Sequence, residues 1–130
     1  MDRTKFSTDW PPDCPPDAAS APEGDYYRIV RTNPPTELDF RSHRELDTLP
    51  KAPPCLRAGL STFRTVEDAE RMVQLFPVLG SHIARGALDA SYGLAMLTPG
   101  RQPTHSTVWP YEGVDRLAPF RDVVPATRSL

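Results

Sequence analysis

A chain of 130 residues, 38% of them hydrophobic, has apolar material for one modest core. Its formal net charge of −2 argues against the strongly basic footprint of a nucleic-acid binder, and no apolar run approaches the ~20 residues that a bilayer span requires. Two cysteines and three histidines, not spaced as ligands, make neither a disulfide framework nor a zinc site, so no metal is expected.

Residues 1–24 hold five prolines and little apolar material, which predicts a disordered, Pro-rich arm. Phe6 and Trp10 are its large anchors. They suit a solvated tail, or a motif that docks on a partner or on the chain itself. The N-terminus lacks the apolar region of a signal peptide, so the expected compartment is a reducing cytoplasm. Cys14 and Cys55 are expected to be unpaired there.

Residues 25–124 read as one α+β domain, and 125–130 as a flexible tail. Tyr26–Thr32 (YYRIVRT) is the first expected strand, bounded by Gly24-Asp25 and Asn33-Pro34-Pro35. Alternation puts Tyr27, Ile29 and Arg31 on one face and Tyr26, Arg28 and Val30 on the other. An arginine in such a strand marks an edge, a salt bridge or a function. Thr36–Leu46 reads as a helix with Thr36 as cap and Asp39 three residues on. His43 there reads as a solvated surface residue. Asp47–Pro54 is a proline-broken loop.

The clearest signals lie between Gly59 and Leu88. A short strand, Leu60–Arg64, leads into a helix from Thr65 to about Phe76. Thr65 can cap the first turn, with Asp68 answering it. Val66, Ala69, Met72, Val73 and Phe76 form an apolar stripe, and Glu67, Asp68, Glu70, Arg71 and Gln74 the polar face. Pro77 and Gly80 end the helix, and Ser81–Leu88 is a strand. Tyr92–Thr98 reads as a strand or an irregular apolar segment, and Thr104–Trp109 as a strand that Pro110 ends. A short helix is expected around Gly113–Leu117, and Val123-Val124 forms a last strand. The whole predicts a mostly antiparallel, twisted sheet of about five strands with two or three helices.

No Walker loop, GxGxxG, HExxH or GxSxG is present. The order of elements, with an arginine in the first strand (YYRIVRT), a serine in the second (GLSTF) and a helix directly after it (TVEDAE), resembles the ADP-ribosyltransferase fold, including its small bacterial RES-type and toxin-type members. The resemblance runs from about Tyr26 to Trp109. It implies NAD as cofactor, with Arg28 or Arg31, Tyr27 and Phe63 in its site. It also implies Ser61 and a third polar residue, Glu112 or else His105 or Thr107, as catalytic positions. An arginine fork would hold phosphate oxygens, and an aromatic such as Tyr27, Phe63 or Trp109 would stack on nicotinamide. Under this reading the chain transfers ADP-ribose to a cellular macromolecule or hydrolyses NAD. The competing expectation is a non-catalytic module that binds a protein partner through its Pro-rich arm. A nucleic-acid partner would need a local basic patch from Arg57, Arg64, Arg71 and Arg85.

Overall fold

A computed structural model describes residues 5–126. Six strands form one fully antiparallel sheet: β1 (Gly24–Val30), β2 (Leu60–Phe63), β3 (His82–Leu88), β4 (Gly93–Leu97), β5 (His105–Pro110) and β6 (Asp122–Pro125). Their spatial order is β4-β5-β2-β1-β3-β6. The helices are α1 (His43–Leu46), α2 (Pro54–Ala58) and α3 (Val66–Leu75). This is the expected α+β class: the last strand expected at Val123-Val124 is β6, paired along β3, and the segment left open at Tyr92–Thr98 forms β4, so the sheet has six strands where about five were expected.

Side-chain alternation divides the sheet into two covered faces. On one, Tyr26, Val30, Leu60, Ala84, Leu88, Ala95 and Val108 pack with Phe40, Tyr92 and Phe120. The segment after β5 covers this face through Val114, Leu117 and Phe120 and forms no helix, contrary to expectation. The second face is covered in two places. At one end α3 lays Ala69 and Val73 on Phe63 and Ile83, with Tyr27 and Ile29 alongside. At the other, residues of the N-terminal segment and α2 pack Phe6, Cys14, Ala19 and Ala58 around Trp109. Between these two covers the second face stays open.

The N-terminal segment corrects the expected disordered arm. Phe6 is 2% exposed and sits against Trp10 and Tyr111, at ring-centroid distances of 5.6 and 5.0 Å. Cys14 and Cys55 form a disulfide, the pairing the sequence argues against. Trp109 Nε1 donates to the Cys55 carbonyl at 2.9 Å, so the bridge rests on a buried indole. The segment then joins the sheet edge, where Ser20 bridges Ala95. Its prolines raise the difficulty of making regular structure, and docking on a preformed groove needs none. Of the expected tail, Pro125 closes β6 and Ala126 is buried, and 127–130 lie outside the described residues, as do 1–4 of the arm.

The expected helix over Thr36–Leu46 is broken in two. A single 3₁₀ turn, Glu37–Phe40, is followed at Ser42 by α1. Asp39 Oδ2 accepts the Thr36 amide at 3.0 Å, which closes the first turn. Ser42 and Glu45 then make a full capping box of their own, with Ser42 N to Glu45 Oε1 at 2.8 Å and Glu45 N to Ser42 Oγ at 3.2 Å. Two competing caps six residues apart, Thr36 and Ser42, fit two short turns better than one helix. In α3 the Thr65 cap holds as expected, accepting from Asp68 N at 3.2 Å. The Asp68 carboxylate does not answer it. It is buried and accepts from Thr104 N and Thr104 Oγ1 at 3.0 and 2.6 Å. Glu70, expected on the solvent face, is buried as well.

Candidate functional site

The opening in the second face is a cleft of about 500 Å³. Its floor is the β2–β5 pairing. Ser61 lies opposite Thr107 and Phe63 opposite His105, so all four side chains emerge on one face. Its walls are α1, α2, the loop between them and the inner side of α3, with Leu38, Leu46, Leu49, Leu56, Met72 and Leu79 supplying the apolar surface.

The cleft exists because the sheet parts beside it. β1 and β2 are directly paired at Tyr27 and Phe63. Extending that register would set Ile29 opposite Ser61, and instead a side chain enters the gap. Arg28 Nη1 donates to the Ser61 carbonyl at 2.8 Å, its Nε to the Asp39 carbonyl at 2.8 Å and its Nη2 to the Arg41 carbonyl at 3.3 Å. The guanidinium lies 5.5 Å from the Phe40 ring centroid. Three of its five N–H groups therefore bind main chain, tying the segment before α1 to β2. Burial pushes the Arg28 pKa down to about 10, with Tyr92 and Asp39 opposing the shift, and it stays cationic at neutral pH. The salt bridge considered for this arginine is replaced by carbonyl dipoles.

Ser61 and His105 are diagonal neighbours on adjacent strands. Ser61 Oγ lies 2.5 Å from His105 Nε2. His105 Nδ1 lies 2.8 Å from the Thr98 carbonyl and 3.0 Å from Thr98 Oγ1. A carbonyl only accepts, so Nδ1 carries a proton, and in the neutral imidazole Nε2 presents its lone pair to the serine hydroxyl. The Phe63 ring meets the imidazole edge-on at 5.3 Å, and Thr98 Oγ1 is fixed in turn by Thr107 Oγ1 at 2.7 Å. Thr98 had no signal in the sequence, because its role belongs to a main-chain carbonyl at the end of β4.

Among the described residues four arginines line the cleft, Arg28, Arg31, Arg41 and Arg57, against one carboxylate, Asp39. Asp39 is fully engaged, accepting from Arg31 N at 2.7 Å, Thr32 Oγ1 at 2.6 Å and Thr36 N at 3.0 Å. Its burial alone would raise the pKa, and these hydrogen bonds, with Arg28, hold it below the ordinary value. His43 is on the cleft wall and half-buried, not a solvated surface residue. Burial, then the Arg28 and Arg57 cations, push its pKa below the ordinary imidazole value. His43 Nδ1 pairs with Thr48 Oγ1 at 2.7 Å.

Six of the residues singled out from the sequence thus line one cavity: Arg28, Arg31, Ser61, Phe63, His105 and Thr107. Three do not. Tyr27 packs beneath α3 with Phe63 and Ile83, and Glu112 lies in the turn after β5, its amide donating to the Lys5 carbonyl at 2.8 Å. Trp109 is fully buried in the core against the N-terminal segment and is no stacking surface. Among the described residues no three His, Cys, Asp or Glu side chains are grouped as a metal site requires, and no helix is long and apolar enough to cross a membrane. Compared with protein-family models, curated proteins and solved structures, the chain matches none.

Proposed function

We propose that the cleft binds NAD and that the chain is a small ADP-ribosyltransferase-like protein acting on a cellular macromolecule. The observation that carries this reading is charge: four arginines and one engaged aspartate line the cleft of a chain whose net charge is −2. Such a local excess of guanidinium favours a phosphate-bearing ligand. A volume of about 500 Å³ falls within the range of small-molecule sites. Phe63 lines the cleft beside the polar pair Ser61 and His105 but is buried under α3, so it contributes an apolar edge and not a stacking face.

NAD supplies an ADP-ribosyl group whose bond to nicotinamide breaks with oxocarbenium-like charge. In this reading Arg31 and Arg41, both exposed at the cleft, hold the pyrophosphate. Arg28 sets the position of the Ser61 strand and contributes its charge. Ser61 orders a ribose hydroxyl, and His105 Nε2 takes the proton of the acceptor. Glu112 has no part, and His105 fills the third position.

Calorimetric titration of the purified protein with NAD tests this, with thermal shift in parallel. Saturable binding is expected, and ligand at a hundredfold excess over Kd adds about 2.7 kcal/mol of apparent stability. Arg31→Ala with Arg41→Ala should weaken binding at least tenfold without lowering the melting temperature. Absence of heat and of any shift at millimolar NAD would reject the reading. The interaction-module alternative loses its main premise, because the arm's aromatic anchors are occupied by the chain's own Tyr111 and Trp109 surface. The Cys14–Cys55 disulfide also weighs against a reducing cytoplasm, where such a bond is opened.

A further inference from the structure

We propose that Ser61 and His105 are also the nucleophile and general base of a carboxylester hydrolase whose substrates carry an apolar acyl group. The inference does not rest on NAD binding; the two readings share a cleft and not a reaction.

The observation is the relay Ser61 Oγ, His105 Nε2, His105 Nδ1, Thr98 O, with contacts of 2.5 and 2.8 Å at its two ends. In serine hydrolases the third member keeps the imidazole in the tautomer whose Nε2 is free to accept, and loss of that tautomer is what costs the rate. A main-chain carbonyl fixes the same tautomer, since it can only accept from Nδ1. It neutralises imidazolium less well than a carboxylate does, so turnover slower than that of a full triad is expected. The serine is poised in the open: Ser61 and His105 are both partly exposed and both line the cleft. A hydroxyl whose purpose was only to satisfy a strand would be expected to bond its own or neighbouring backbone. Here it points across the ladder at an imidazole that a separate strand end has oriented.

The reaction balances with water alone. Ser61 Oγ attacks the acyl carbon as its proton passes to His105 Nε2. The tetrahedral oxyanion collapses, the bond to the alcohol oxygen breaks, and the alcohol leaves with the proton from Nε2. Water then attacks the acyl-serine, giving its proton to Nε2, and collapse returns that proton to Ser61 Oγ and releases the acid. Arg28, whose guanidinium is bonded to the Ser61 carbonyl, places positive charge beside the strand on which the oxyanion forms. The acyl preference follows from the wall facing the pair, where Leu38, Leu46, Leu49, Leu56 and Met72 present hydrocarbon. Leu38 and Leu49 are 62% and 55% exposed.

The test is a fluorophosphonate probe on the full chain without NAD, read by intact mass and peptide mapping, with a p-nitrophenyl acetate, butyrate and octanoate series. Stoichiometric labelling at Ser61 is expected, with hydrolysis that rises along the series. Ser61→Ala and His105→Gln should each lower turnover ~10²-fold or more. Should either variant fail to fold, the wild-type labelling still decides, because it maps the reacting atom directly. Failure of the folded wild-type chain to label, or labelling elsewhere, overturns the proposal and marks the Ser61–His105 contact as a cross-strand tie. NAD binding without labelling overturns this inference alone; labelling without NAD binding overturns the preceding one alone.

Discussion

Replacing Asp68 by alanine should cost about 3 kcal/mol, although the residue has the sequence context of an exposed first-turn acid. Its side chain is 3% exposed, and its Oδ2 accepts both the amide and the hydroxyl of Thr104, at 3.0 and 2.6 Å. Hydrogen bonds to a charged group contribute about 1.5–3 kcal/mol each, part of which offsets the cost of desolvating the carboxylate. The Arg71 contact, at 2.8 Å, lies on the solvent side, where Arg71 is 60% exposed, and adds under about 1 kcal/mol after screening. For a domain of this size about 3 kcal/mol corresponds to roughly 10 °C in melting temperature. Burial would raise the Asp68 pKa, but the Thr104 bonds and Arg71 outweigh it and hold it below the ordinary value. A depressed folded-state pKa means that the contribution is complete above the unfolded value of ~3.9 and is lost as pH falls through the folded one. Thermal melts by circular dichroism, from pH ~7 down to ~3, should therefore show wild type and Asp68→Asn converging only at the acid end. An Asp68→Ala protein that melts within about 2 °C of wild type at neutral pH would refute the reasoning, by showing that the bonds only repay desolvation.

Reducing Cys14–Cys55, or replacing both with serine, should lower stability by about 4 kcal/mol on loop-closure entropy for a separation of 41 residues, measured by denaturant titration with and without reductant. Arg28→Ala should destabilise the fold by roughly 3 kcal/mol, because three main-chain carbonyls lose their donor, and a melt of the variant checks it. That variant is consequently a poor probe of ligand binding, and Arg31 and Arg41 are the better ones. Gly80→Ala should cost about 2 kcal/mol, since the added Cβ would lie 2.4 Å from the Val30 carbonyl oxygen, a backbone atom that cannot move aside; a shift of the urea midpoint reads it.

Local signals in the sequence carried the elements whose partners are close. The apolar stripe and Thr65 cap marked α3 to within a residue or two, and alternation marked β1, β3 and β5. What failed was contact between distant segments. Composition counted the prolines of residues 1–24 and had no access to the groove formed by Trp109 and Tyr111. Pro54 reads as a helix breaker, yet it opens α2, where its missing N–H is not needed. Asp68 shows its cap from four residues of sequence, while its true partner, Thr104, lies 36 residues on. Ser61 and His105 were both legible as polar residues in strands, and they stood as members of different positions in a pattern. Their bond requires the β2–β5 register, which skips over α3, β3 and β4. Glu112 fits the pattern only by order along the chain, and order carries no information about which end of β5 faces the cleft.

The acid deficit of the cleft limits the chemistry available there. A reaction that develops positive charge at carbon gains most from a carboxylate placed against it. Among the described residues the one carboxylate that lines the cleft, Asp39, is held by three donors, Arg31 N, Thr32 Oγ1 and Thr36 N, and releasing it would undo the Thr36 cap. Developing negative charge is different: Arg28, Arg31, Arg41 and Arg57 all line the same cavity. An oxyanion, a phosphate or a released carboxylate each meets a favourable field there, whereas an oxocarbenium ion meets an unfavourable one. Phosphate recognition and attack by a base-activated hydroxyl are therefore the two tasks for which the cleft is electrostatically suited. ADP-ribosyl transfer would have to rely on the ligand's own pyrophosphate to offset the arginines. The dependence is measurable: if transfer occurs, Arg28→Lys, which keeps the charge and loses the three-carbonyl fork, should impair stability, while Arg57→Gln should speed the chemical step and weaken binding. A faster Arg57→Gln enzyme would identify a cationic transition state, and a slower one an anionic transition state, so single-turnover rates of that variant separate the two chemistries without reference to the acceptor.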